Sequence, residues 1–157
     1  MGNTCQLKDP ESVAYASKPN VLIFSNVNGK PDQKDQNGFI SKVSPSNGSI
    51  IELNWVKGLN APKGIAISND GNKLYVSDIT DLVEIDIASG KIIKRFNGPG
   101  SSFLNDVVAD NLGNIYVSDT GTNTIYKLDT NFGNSTFWQQ YIIFLTSLAA
   151  KPPIKWS

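Results

Sequence analysis

The chain has 157 residues, with 14 Lys and Arg balanced by 14 Asp and Glu, and therefore no formal net charge. It contains no histidine and a single cysteine, Cys5. These counts exclude Ser-His-Asp and Cys-His hydrolysis, His-ligated or thiolate-ligated metal sites, and any intramolecular disulfide. What remains is the chemistry of carboxylates, amides, hydroxyls and oxygen-seeking cations. Basic residues are scattered along the chain, so neither nucleic acid nor a membrane is an expected partner. Met1 to Gln6 carries no basic run and no apolar run. It predicts no signal peptide, and the chain as written reads as soluble and cytoplasmic. Gln6 stands where N-myristoylation requires Ser or Thr.

In chain order, residues 1–9 read as a leader. Pro10-Glu11-Ser12-Val13-Ala14-Tyr15 opens the first strand, followed by Leu22-Ile23-Phe24-Ser25-Asn26 and the alternating Ile40-Ser41-Lys42-Val43. Residues 27–38 between them are rich in Gly, Asn, Asp, Gln and Lys and read as a surface loop. The next unit places Pro62-Lys63-Gly64-Ile65-Ala66-Ile67, Leu74-Tyr75-Val76-Ser77-Asp78 and Leu82-Val83-Glu84-Ile85-Asp86 in the same sequence of roles. A third unit does so with Leu104-Asn105-Asp106-Val107-Val108-Ala109, Ile115-Tyr116-Val117-Ser118-Asp119 and Ile125-Tyr126-Lys127-Leu128-Asp129. An outer strand beginning near Ser135 runs through Phe137-Trp138. Asn47-Gly48, Asn69-Asp70-Gly71, Ser89-Gly90 and Leu112-Gly113-Asn114 mark the turns.

The second strand of the middle unit recurs 41 positions later, and a looser copy lies 52 positions earlier. A period near that length, with about four short strands per unit, predicts an all-β fold, a partial β-propeller of three four-stranded antiparallel blades. The expected blades are 10–57, 58–100 and 101–140. Three blades are half of a six-bladed ring and leave two blade faces uncovered, so self-association is expected. Residues 141–157 lack the blade pattern and read as a non-repeat tail. That tail suggests a truncated product, such as one made by a shifted reading frame; the alternative is a capping segment that covers the open blade face.

The repeat makes Glu11, Lys63 and Asn105 equivalent, each where an innermost strand begins. Innermost strands line a propeller's channel, so these side chains should converge on its mouth. Oxygen-bearing groups arriving from different blades suit a hard divalent cation: calcium, magnesium or manganese. The same positions also suit turn residues that satisfy only nearby backbone groups. Asp78, Asp119 and Asn26 end equivalent strands and are expected to close turns on backbone amides. Tyr75 and Tyr116 read as packing residues.

Glu11 within Pro10-Glu11-Ser12-Val13, then Leu59-Asn60-Ala61-Pro62-Lys63-Gly64, then Phe103-Leu104-Asn105-Asp106-Val107 with Asp110, resembles the gluconolactonase/regucalcin (senescence marker protein) group of six-bladed propellers. NHL-type propellers are similar as well. The resemblance covers about residues 10 to 130 and implies the first half of that family's ring. It implies a divalent-cation site in which Glu11 is a metal ligand and Asn105 lies near both metal and substrate. Asp106 and Lys63 are the further substrate-binding candidates, for a small-molecule lactone. The family's other Asn ligand and its Asp, ligand and base, belong to blades this chain does not have. The resemblance therefore implies a relative of metal-dependent sugar-lactone hydrolases, inactive as an isolated chain. Two alternatives are a non-catalytic, NHL-like binding scaffold and a half-propeller that dimerises into a six-bladed ring.

Overall fold

A computed structural model of the chain describes residues 6–129 and 137–142. The first sheet is built from β1 (Pro10–Ala16), β2 (Val21–Asn26), β3 (Gly38–Val43) and β4 (Ile50–Leu59). The second comprises β5 (Pro62–Ile67), β6 (Lys73–Asp78), β7 (Asp81–Asp86) and β8 (Ile92–Asn97). The third comprises β9 (Leu104–Ala109), β10 (Ile115–Asp119), β11 (Thr124–Asp129) and β12 (Phe137–Ile142). Each sheet is a four-stranded antiparallel meander in chain order. This is the three-bladed partial propeller that the repeat predicts.

The central strands are alternating runs of β-branched and aromatic residues, the types that fit a pleated, half-buried surface. Alternate residues point to opposite faces, so each blade presents one apolar row forward and one backward. Ile23, Ile40 and Val56 of the first blade meet Ile65, Leu74, Val76, Val83 and Ile85 of the second in one buried cluster. Tyr75, Leu82 and Phe96 on the other side of the second blade meet Leu104, Ile115, Val117, Tyr126 and Leu128 of the third. Each fully buried aliphatic side chain in these seams contributes about 1.5–3 kcal/mol. Among the described residues the middle blade is thus covered on both faces, and the outer two on one face each.

The turns use the expected chemistry. Gly71 has φ 70°, and Asp70 holds its turn by accepting from Ser68 Oγ (2.6 Å), Asn72 N (3.1 Å) and Asn72 Nδ2 (2.8 Å). β4 is longer than its partner β3. The difference is taken up by three register shifts and by Gly58 at φ 78°, which carry the strand on to Leu59, past the expected limit at 57. Residues 8 and 9 are tied to the first blade: Val27 N donates to the Asp9 carbonyl at 3.2 Å and Asn28 N to that of Lys8 at 3.3 Å. At the other end, Tyr141 and Ile142 pair with Ile125 and Thr124, so the third blade's outer strand continues two residues beyond 140. The remainder of the expected tail, 143–157, lies outside the described residues.

Candidate functional site

The three inner strands begin in the same way. Pro10 pairs with Asn26, Pro62 with Asp78 and Leu104 with Asp119, and each ladder then slips. Glu11, Lys63 and Asn105 fall inside the slip, at one common register and at one end of the blades. A bulge of this kind re-aims side chains next to the irregularity.

Gly64, immediately after Lys63, explains how closely the second and third inner strands approach. A Cβ there would lie 2.5 Å from the Asn105 carbonyl oxygen and 2.7 Å from both Asp106 Cα and Val107 N. Only glycine leaves room for that backbone contact.

A serine completes each junction. Ser25 Oγ donates to the Lys63 carbonyl at 2.6 Å, and Ser77 Oγ donates to the Asn105 carbonyl. Ser25 Oγ also accepts from Ser12 N, and Ser118 Oγ from Asp106 N, both at 3.0 Å. Ser25 and Ser77 therefore each tie their own inner strand to the next blade's. This tie is readable in the sequence as a Ser at the same strand position in three copies, just before Asn26, Asp78 and Asp119.

Asp78 and Asp119 do close turns on amides, as expected. The buried Asp78 carboxylate accepts from Asn60 N (2.9 Å) and Ala61 N (2.8 Å), and from Arg95 Nη1 at 3.3 Å. Asp119 accepts from Ser102, Phe103, Gly121 and Thr122 amides at 2.8–3.1 Å. Asn26 performs the same task with an amide: its Oδ1 accepts from Lys8 N, and its Nδ2 donates to the Phe39 carbonyl and Ser41 Oγ. Tyr75 is buried in the second seam, whereas Tyr116 is half-buried with its hydroxyl 3.1 Å from Asp110 Oδ2.

Charge gathers at the inner-strand mouth. Partial desolvation of the Glu11 carboxyl pushes its pKa up; nearby Asp106 adds to this and Lys63 opposes it. Burial lowers the Lys63 pKa against the pull of Asp78, Glu11 and Asp32. Lys63 is only 3% exposed. Its ammonium donates to the carbonyls of Pro31 (2.8 Å) and Ala61 (3.1 Å) and sits 4.3 Å from the Phe103 ring centroid. The loop reaches over the second blade at other points too, with Lys34 Nζ donating to Thr80 Oγ1 at 2.9 Å and Gln36 N to Asn60 Oδ1 at 3.3 Å. Lys63 thus latches the first blade's long loop across the top of the second. Pro31 was not foreseeable as its partner, because loop 27–38 has no counterpart in the other repeats.

Glu11, Asp106 and Asn105 are hard oxygen donors of the type calcium, magnesium or manganese takes. As a set they are incomplete: among the described residues no three Asp, Glu, His or Cys side chains group closely enough to hold a metal ion. Two grooves of about 300 and 320 Å³ border the third blade. The first lies among the turns at the opposite end, around Asp70, Tyr75 and Leu112. The second lies on the outward face of the third blade and reaches the mouth only at Asp106. No helix among the described residues is long and apolar enough to cross a membrane.

No protein-family model matches the chain, and no curated protein does either. Solved structures do. Virginiamycin B lyase from Staphylococcus aureus is 22% identical over 85% of this chain and 41% of its own, with a TM-score of 0.60. A chain of the nidogen/laminin complex is 16% identical over 80% of this chain and 44% of its own, TM-score 0.62. U3-55K is 13% identical over 92% and 42%, TM-score 0.66. The class is therefore defined: the chain is part of a β-propeller, spanning about two-fifths of the length of each of these proteins.

Proposed function

We propose that the chain is half of a propeller related to metal-dependent sugar-lactone hydrolases, carrying part of a cation site and too little of it to work alone. The observation that supports this most is that Glu11, Asp106 and Asn105 lie at the same end of the blades, where the charge of Asp106 adds to the desolvation that raises the Glu11 pKa. A carboxyl group whose charge is disfavoured by a neighbouring carboxylate is relieved by a cation placed beside it. A divalent ion would be held by Glu11 and Asn105 oxygens, with Asp106 beside it and the remaining positions filled by water or by groups from outside this chain. Bound there, such an ion would polarise a lactone carbonyl. Glu11 would hold the ion in place, and Asp106 would orient the sugar hydroxyls. No residue of this chain stands as the base.

Lactone hydrolysis with manganese, calcium or magnesium tests the proposal. The isolated monomer should bind these ions weakly and turn over negligibly, because a missing general base removes about 10²–10⁴ of rate. Robust turnover by a monomer would overturn it.

One observation favours a second reading, a binding scaffold without catalysis. The Lys63 ammonium is committed to Pro31, Ala61 and Phe103 rather than presented to a ligand. Lyase chemistry of the virginiamycin B type has less support. A variant of that S. aureus lyase with one histidine replaced by alanine is catalytically inactive, and these 157 residues contain no histidine.

A further inference from the structure

The two outer blade faces are the unmatched halves of a contact that the molecule already makes twice. In both internal seams a serine hydroxyl of one blade donates to the bulged inner-strand carbonyl of the next, Ser25 to Lys63 and Ser77 to Asn105. The series leaves one donor and one acceptor over. Ser118 Oγ accepts from Asp106 N, but among the described residues nothing takes its proton. At the other end, among the described residues no serine hydroxyl donates to the Glu11 carbonyl as Ser25 does to that of Lys63.

The apolar rows are left over in the same way. Ile65 of the second blade lies against the first, and Val107 and Ala109 of the third lie against the second. Their first-blade equivalents, Val13 and Tyr15, are 53% and 55% exposed. Opposite them in the series, Val108 on the trailing face of the third blade is 58% exposed. Beside it runs the groove of about 320 Å³, lined by Val108, Ser118 and Ile125 among others.

We infer that a second copy of this chain covers these faces, its Val13 and Tyr15 entering the groove beside Val108 and its Glu11 carbonyl accepting from Ser118. The same contact made reciprocally closes a two-fold ring of six blades, because each copy offers one leading and one trailing face. The ring brings two copies each of Glu11, Asp106 and Asn105 to one mouth, which supplies the ligands that one chain lacks. That last consequence rests on the proposed cation site; the pairing itself does not.

Sedimentation equilibrium of the whole chain, without added metal, is the test. The expected mass is twice the 17.0 kDa of one chain. Val108→Asp on the trailing face and Tyr15→Asp on the leading face should each reduce it to one chain, with far-UV circular dichroism unchanged. An equimolar mixture of the two variants should regain a dimer, since one intact contact can still form between them. A wild-type monomer at every concentration, a dimer indifferent to Val108→Asp, or open-ended polymers would each overturn the inference. Because mass is read without metal or substrate, failure of the pairing and failure of the lactonase reading are told apart.

Discussion

Replacing Asp78 by alanine tests whether the strand-ending carboxylates hold the blades together. Asp78 is fully buried and collects Asn60 N at 2.9 Å, Ala61 N at 2.8 Å, Asn60 Nδ2 at 3.3 Å and Arg95 Nη1 at 3.3 Å. Hydrogen bonds to a charged group contribute about 1.5–3 kcal/mol each, and a buried donor left unsatisfied costs about 1–3 kcal/mol. Arg95 is well exposed and regains water, so its pairing contributes at most about 1 kcal/mol. The bonds share one acceptor and do not add, which leaves an expected loss of about 3–5 kcal/mol. Urea unfolding followed by tryptophan fluorescence would read it. With a slope of about 2 kcal/mol per molar, the midpoint should fall by about 1.5–2.5 M. Asp78→Asn keeps one acceptor oxygen and should lose about half as much. A midpoint shift below about 0.3 M for the alanine variant would refute the clamp role.

Gly64→Ala places a methyl group against the Asn105 carbonyl and the Asp106 backbone; it should destabilise by at least about 1–3 kcal/mol, read as a lowered thermal midpoint. Ser77→Ala removes one inter-blade tie and should cost about 1 kcal/mol by the same assay, whereas Ser118→Ala should cost the monomer much less. The raised Glu11 pKa means that the folded chain binds more protons than the unfolded chain between the ordinary glutamate value and the raised one. Stability from this group is therefore full below that range and lost as pH rises through it. Glu11→Gln should abolish that decline in urea midpoints measured from about pH 4 to 7.

The strands were legible because a repeated pattern tests itself: Tyr75-Val76-Ser77-Asp78 and Tyr116-Val117-Ser118-Asp119 could hardly sit at one offset unless they filled one role. The turn-closing part of Asp78, Asp119 and Asn26 followed from the same logic. Features made once were not legible. β4 stretches to Leu59 because bulges absorb its extra residues, and nothing in its alternation marks them. Arg95 reaches Asp78 from the outer strand of the same blade, 17 positions away in sequence. The Lys63 ammonium turns to Pro31, in the loop that the repeat does not contain. The register that aligns Glu11 with Asn105 was visible in the sequence. The pressure of Asp106 on Glu11 was not, since it depends on how closely Gly64 lets the blades approach.

The central claim is that cation affinity, however weak, is seated where the inner strands begin. Manganese-induced line broadening of backbone amide resonances tests it most directly, because the ion relaxes only nearby nuclei. The account predicts that broadening at low manganese concentration centres on residues 11–12, 63–64 and 105–107 and is lost in Glu11→Gln. Broadening centred instead on the turn carboxylates at the far end, Asp70, Asp86 and Asp110, and unchanged by Glu11→Gln, would contradict it.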